Sequence, residues 1–292
     1  MGMLGKAEAK DRKVTFTAKD SIRCPACDAN FRREELFSGR VNAGDLTDEL
    51  HRLYVPTQAW GTVRPLVYEL TVCPSCFAAA WKHDFATMPP KVAEAIVQDT
   101  ANRIESVQRV FGPLDFQDPR RLVEGAASYY LAMLCYERYG KDVAPTFKQG
   151  NASLRAAWLC DELEAEEPGK DYAWAAAIFR NKARVLYRAA IEYEQHGREQ
   201  VSALRWLGPD TDKNYGYEGV LYVSGILELK CGQRDDEAAR RAALDASKRT
   251  IARMFGLGKR SKSKPGPLLD KARDLYDRLK AELNQDDDSD DE

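Results

Sequence analysis

Histidine is scarce, with 3 in 292 residues, so catalytic machinery built on imidazole is thinly supplied. No named acid, base and nucleophile set offers itself, and the chain is expected not to be an enzyme. Long apolar runs are missing too. None approaches the ~20 residues of a membrane span, so no membrane-spanning helix is expected. The opening MGMLGKAEAKDRK has no apolar stretch of signal-peptide length, and Lys6 stands where a myristoylation signal needs Ser or Thr. A cytoplasmic location is the resulting expectation. A surplus of one charge is also absent: 44 Lys+Arg face 46 Asp+Glu, a net of -2. That balance argues against a nucleic-acid partner recognised by bulk charge. The string NYGYEG (214–219) lacks the Lys-Ser/Thr or G-x-G-x-x-G context of a phosphate loop.

What is present is enough apolar material for a core, 44% of residues, in a length that allows one large domain or two ordinary ones. The texture changes along the chain. Residues 1–13 are polar and expected to fray. Residues 14–88 carry two β-type runs, Val14–Thr17 and Leu66–Val72, each leading into a cysteine pair. The stretch between the pairs reads as loop with one short helix near Leu46–Leu53. From Pro89 the pattern is helical. One helix is expected over Lys91–Phe111, with Val92, Ile96, Ile104, Val107 and Phe111 at helical spacings, and a second opens at Asp118-Pro119 and closes at Gly140. Further helices are expected over about 144–165, 171–196, 198–206, 214–231 and 235–255. Residues 258–267 form a basic linker, and 268–284 a last amphipathic helix with Leu269, Leu275, Leu279 and Leu283 on one side. Residues 285–292, six of them acidic, are expected to be a disordered tail.

Three helical stretches end alike, at Gly140, Gly197 and Gly232. The last two glycines are 35 residues apart, close to the ~34-residue tetratricopeptide period. The expected fold class is therefore mainly α: a TPR-like helical array over 89–257 behind a small β-containing zinc-binding module over 14–88. A generic helical bundle is the plainer alternative.

The chemistry is concentrated in Cys24-Pro25-Ala26-Cys27 and Cys73-Pro74-Ser75-Cys76. A CxxC turn aims both sulfurs at one point, and proline after the first cysteine fixes φ and pre-sets the turn. Two such turns supply four thiolates, the set of a closed structural Zn2+ site with Zn–S of ~2.3 Å. The intervening chain is long, but doubling a loop costs only ~0.6 kcal/mol. Because 14–88 lacks alternating apolar positions for a core of its own, the ion is expected to hold it together, at ~10–16 kcal/mol in finger peptides. The odd total of 7 cysteines speaks against a secreted disulfide framework. With all four positions filled, no place is left for an activated water. A redox dithiol is the alternative, though no parallel α/β pattern accompanies the pairs.

Residues 1–88 hold 12 Lys+Arg and 11 Asp+Glu, and a Zn(Cys)4 group would add two negative charges, so no basic stripe marks this half as a nucleic-acid reader. Arg32-Arg33 is followed at once by Glu34-Glu35. His83 is expected to be an ordinary packed or surface residue, and Cys135, Cys160 and Cys231 small buried hydrophobes. Helical repeats present long surfaces to other proteins. Tyr130, Tyr136, Tyr187 and Tyr222 are the candidates to line a partner-binding groove, with core packing as the alternative for each. The expected role is a non-catalytic scaffold or adaptor for a protein partner, with a nucleic-acid-binding regulator and a thiol-based redox sensor as rivals.

Taken in order, CPAC, FRREELFSGR, DLTDEL, YELTVCPSCFAAAWKHDF and the helical repeats resemble a bacterial family of uncharacterised cytoplasmic proteins, catalogued as a domain of unknown function. The resemblance covers roughly residues 20–250 and implies a metal-binding front region joined to helical repeats, with no established activity. In such knuckles glycine commonly follows the second cysteine, where a left-handed backbone suits it. Asp28 and Phe77 stand there instead, which predicts strain or a different turn shape at the second knuckle.

Overall fold

The computed structural model describes residues 13–117, 119–256 and 266–289. Most of the expected frayed N-terminus and linker, Asp118 at the expected helix start, and residues 290–292 of the expected tail lie outside the described residues.

The front region is built from short antiparallel pairs. β1 (Thr15–Thr17) pairs with β4 (Glu34–Leu36), Phe16 opposite Glu35. Between them, β2 (Ile22–Arg23) pairs with β3 (Asn30–Phe31) across the first cysteine turn. β5 (Ala43–Leu46) pairs with β6 (Arg52–Tyr54), and β7 (Leu70–Val72) with β8 (Ala79–Trp81) across the second. Two expectations fail here. The short helix at Leu46–Leu53 is the β5–β6 hairpin, closed by a turn in which His51 N–H donates to Thr47 Oγ1 and Leu50 takes φ 60. Gly44 permits the pairing, since a Cβ there would stand 2.9 Å from Val55 Cγ2. The run Leu66–Val72 is strand only from Leu70. Pro65 opens a 3-10 turn over Pro65–Tyr68, and Arg120 Nη1 donates to the Val67 and Leu70 carbonyls that a longer strand would have used.

Nine helices follow among the described residues: α1 (Lys82–Ala86), α2 (Pro90–Gln98), α3 (Thr100–Phe111), α4 (Leu122–Tyr136), α5 (Pro145–Glu166), α6 (Tyr172–Gln195), α7 (Gly216–Cys231), α8 (Glu237–Gly256) and α9 (Gly266–Ser289). The protein is thus mainly helical with small β-hairpins in front. From α4 to α9 each helix packs on the next in sequence. The expected single helix over Lys91–Phe111 is two, broken at Asp99 (φ -92, ψ 11). The helix expected at Asp118-Pro119 starts at Leu122, where Arg121 N–H donates to Glu124 in a capping box. The expected 198–206 helix shrinks to a 3-10 turn at Val201–Ala203, because Gly208-Pro209 follows closely and the segment is tied down instead by buried Val201, Leu207 and Asp210. α9 runs on through Ser289, so 285–289 continue a helix nucleated by packed Leu275, Leu279 and Leu283 rather than starting an unstructured tail. Leu268, not Leu269, is the fully buried residue at its start, in phase with Ala272 and Leu275.

Residues 14–88 pack against the helices. Helix α4 lies directly on the 65–68 turn and on β7 and β8. Gly125 makes the approach possible, because a Cβ there would sit 2.8 Å from Val67 Cγ2 and 3.1 Å from Val67 Cα. Leu66, Val67, Leu70, Val72 and Ala78 to Ala80 share one core with Ala126, Tyr129, Met133 and Tyr136. The tip of the β5–β6 hairpin enters the helical array: Glu49 accepts from Trp158 Nε1 (2.6 Å), Tyr222 OH donates to Asp48 O (2.7 Å), and His51 stacks on Trp158. The front half therefore borrows its core from the helices, and burial of side chains such as Leu50 and Leu66 contributes about 2 kcal/mol each before any ion binds.

Candidate metal centre

Two hairpin turns of identical plan meet at the centre of the front region. In the first, Cys24 N–H donates to Ala29 O and Asp28 N–H to Cys24 O, both at 2.9 Å. In the second, Cys73 N–H donates to Ala78 O and Phe77 N–H to Cys73 O, again at 2.9 Å. Asp28 (φ 63) and Phe77 (φ 55) both take the left-handed conformation that glycine would take freely. The second knuckle therefore keeps the common turn shape at the cost of strain in Phe77. Surrounding contacts hold it: the Phe77 ring packs edge-on against Phe116, and its carbonyl accepts from Arg103.

The four sulfurs converge. Cys24 Sγ lies 3.7 Å from Cys76 Sγ, Cys27 Sγ lies 3.6 Å from Cys73 Sγ, and all four lie within 4.8 Å of one another. None is in a disulfide. A metal ion bound at ~2.3 Å by four sulfurs in a tetrahedron sets them about 3.8 Å apart. The two short separations match that size, and the cluster could hold a metal ion. Three of the four cysteines are buried and Cys27 is partly so. Crowding divides their acidities: hydrogen bonds from Cys24 and Cys76 pull the Cys73 thiol far down, while hydrogen bonding to Cys24 and Cys73 pushes Cys76 far up. Four thiolates in this volume would need a cation beside them, and a soft S4 set is one that suits zinc or iron.

The surroundings are as ordered as the ligands. Arg103 of α3 is 2% exposed and aims at backbone carbonyls: Nη2 donates to Cys76 O (2.6 Å), Nη1 to Ile96 O (2.8 Å) and Nε to Phe77 O (3.3 Å). The break at Asp99 leaves the Ile96 carbonyl at the end of α2 open to this bond. The Cys135 thiol of α4 accepts from Ala79 N–H (3.4 Å), beside the second knuckle. Below it, Asp84 accepts from Tyr136 OH and Lys148 Nζ, both at 2.5 Å, and burial together with Asp84 pushes the Tyr136 hydroxyl well above its usual range. Arg103 was legible as a charged residue interrupting the Ile96–Val107–Phe111 stripe. Its partners were not.

The tyrosines do not form a groove. Tyr136 and Tyr187 are fully buried, and Tyr222 is buried with its hydroxyl on Asp48 O. Tyr130 is half-buried, sharing a hydrogen bond with Ser106 and ringed by Phe111 and Phe179. They stand where successive helices meet, so core packing claims them. His83 is exposed. Cys135 and Cys160 are buried as expected, burial pushing the Cys160 thiol up to about 12, while Cys231 is only partly covered. No helix among the described residues is long and apolar enough to cross a membrane.

Fold and site together define a mainly helical protein with a preformed four-cysteine cluster in front. Residues 17–279 match the family described as "Uncharacterized protein conserved in bacteria (DUF2225)", and the chain belongs to that family. An "Uncharacterized protein" of Borreliella burgdorferi (strain ATCC 35210 / DSM 4680 / CIP 102532 / B31) is 41% identical over 275 residues, 93% of this chain and 98% of that one. No solved structure matches the chain.

Proposed function

We propose that the protein is a non-catalytic, zinc-stabilised adaptor that holds a protein partner on its helical array. The observation that supports this most directly is the closure of the cysteine cluster. Cys24, Cys27, Cys73 and Cys76 fill a tetrahedron by themselves, so a bound Zn2+ would cross-link chain segments and leave no position for substrate or water. The partner surface lies on α6 rather than on the tyrosines. Trp174 is 67% exposed, and Ile178 and Val185 share its face at helical spacing. An exposed tryptophan on an apolar stripe is characteristic of a binding anchor. In this reading α4 to α8 form a TPR-like array, and the protein works in the cytoplasm.

A photo-crosslinking residue placed at Ile178 in the source cell tests the reading. A discrete crosslinked partner that is lost in Trp174→Glu protein of unchanged melting temperature and metal content supports it. Crosslinks unaffected by Trp174→Glu, or no crosslink at all, overturn it.

A further inference from the structure

An open groove of about 1150 Å³ runs between the β1–β4 pair and the segment before α4. Among the described residues its cations are Lys13, Arg32, Arg33, Arg40 and Arg120, and its one carboxylate is Glu34. That imbalance is invisible in the near-neutral count over residues 1–88, because several of the carboxylates counted there are engaged away from the groove. Asp48 and Glu49 are inserted among the helices with Lys230 and Arg180, and Asp84 is held by Lys148.

Glu34 makes no direct ion pair with the arginines around it among the described residues, although its charge acts on Arg120. Its two oxygens accept from neutral donors, Thr15 Oγ1 (2.6 Å) and Arg120 N–H (2.7 Å). The Arg120 guanidinium gives Nη1 to two backbone carbonyls and forms no ion pair among the described residues. Arg33 Nη1 is buried without a hydrogen bond, 3.4 Å from Glu35, which Lys82 also approaches. Burial lowers the basicity of both arginines, Arg120 to about 10. Both guanidiniums line the groove: Arg33 is paired through Nη1 with Glu35, and Arg120 carries no ion pair among the described residues.

The same groove is lined with rings. Arg40 lies over Phe37 (3.9 Å) and Trp60 (4.3 Å), a layered cation–aromatic stack, and Phe16, 38% exposed, continues it at 4.7 Å from Phe37. Guanidiniums for phosphate beside stacked flat surfaces are the two parts of a sequence-tolerant single-strand site. The volume exceeds the ~300–1,000 Å³ of typical small-molecule pockets and is open, which suits a chain of nucleotides over a single one.

We propose that this groove binds single-stranded nucleic acid, its phosphates on Arg33 and Arg120 and its bases against Phe16 and the Arg40–Trp60 stack. The cysteine cluster would hold the two walls in register: Phe31 to Glu34 follow the first knuckle closely, and Val72 directly precedes Cys73. This inference does not depend on the partner surface proposed for α6.

Fluorescence anisotropy of the full-length, metal-loaded protein with a fluorescein-labelled oligothymidylate of about twelve nucleotides tests it. Binding is expected at about 20 mM NaCl and falls with salt, with a log–log slope near -1.4 for two phosphates. Phe16→Ala and Arg40→Ala should each weaken binding about five-fold or more with circular dichroism and metal content unchanged. Arg109→Ala, on the exposed face of α3, should not. Absence of binding at low salt overturns the proposal. So does equal affinity for a duplex of the same length or for an oligoglutamate, since neither offers unpaired bases. Undiminished affinity in both folded variants overturns it as well.

Discussion

Replacing Arg103 by methionine keeps the aliphatic bulk of the side chain and removes every donor. The loss falls on two short bonds, to Cys76 O and Ile96 O, and two longer ones, to Phe77 O and Thr100 Oγ1. Hydrogen bonds from a charged donor contribute about 1.5–3 kcal/mol each, and a buried carbonyl left unpaired costs about 1–3 kcal/mol. Removing a buried guanidinium returns part of this, because its desolvation penalty of several kcal/mol disappears. The net expectation is about 3 kcal/mol, equivalent to a melting temperature about 6 °C lower at roughly 2 °C per kcal/mol. The effect should also be local. The second knuckle carries a strained Phe77, and without its clamp the turn opens more often, so metal passes faster to a chromophoric chelator. Arg103→Lys, which keeps the charge but presents one compact donor group, should fall between wild type and Arg103→Met. An Arg103→Met protein that melts within about 1 °C of wild type, with an unchanged release rate, would refute the assignment of Arg103 as the clamp.

Three further outcomes are expected. Glu49→Ala should cost about 1–3 kcal/mol in urea unfolding, since it unbonds Trp158 and leaves Arg180 with Asp161 alone and Lys230 with Asp48 alone. A loss under about 1 kcal/mol would show that the hairpin tip is not an anchor. Acid should weaken the same contact. Burial alone would raise the Asp48 and Glu49 carboxyls, but Lys230, Arg180 and Arg278 outweigh it and hold both below their ordinary range. Their stabilisation is therefore fully present above the unfolded values near ~4 and is lost as pH falls through the lower folded values. The urea midpoint of wild type should drop over that range more than that of Glu49→Gln, and parallel curves would contradict this. Deleting 285–292 should leave the melting temperature within about 1 °C, because the segment is polar and acidic and the packed leucines Leu275, Leu279 and Leu283 all precede it. A drop of several degrees would show that the tail supports the fold.

The cysteine pairs were legible because a CxxC turn is a local statement: spacing and proline suffice to aim two sulfurs. The longer helices α5, α6, α7 and α8 were legible to within a few residues for the same reason, since their periodicity lies within the segment. What escaped was set at a distance. DLTDELH looks helical until Glu49 is seen to reach Trp158, 109 positions on. The break at Asp99 makes sense only once Arg103 turns back to a knuckle 27 residues earlier. The tyrosines misled because an aromatic between apolar neighbours is equally suited to a groove or to a seam between helices, and α4 is covered on both sides. Charge counted along the chain misled in the same way, since folding carries Asp48, Glu49 and Asp84 away from the arginines of the front groove.

Elemental analysis of freshly purified protein, paired with thiol counting before and after chelation, is the most direct test of the cysteine cluster as a structural metal centre. One zinc ion per chain is expected, with Cys24, Cys27, Cys73 and Cys76 unreactive until the ion is removed and the melting temperature falling when it is. Protein free of transition metal, with those four thiols freely reactive or joined as disulfides and the fold unchanged, would contradict it.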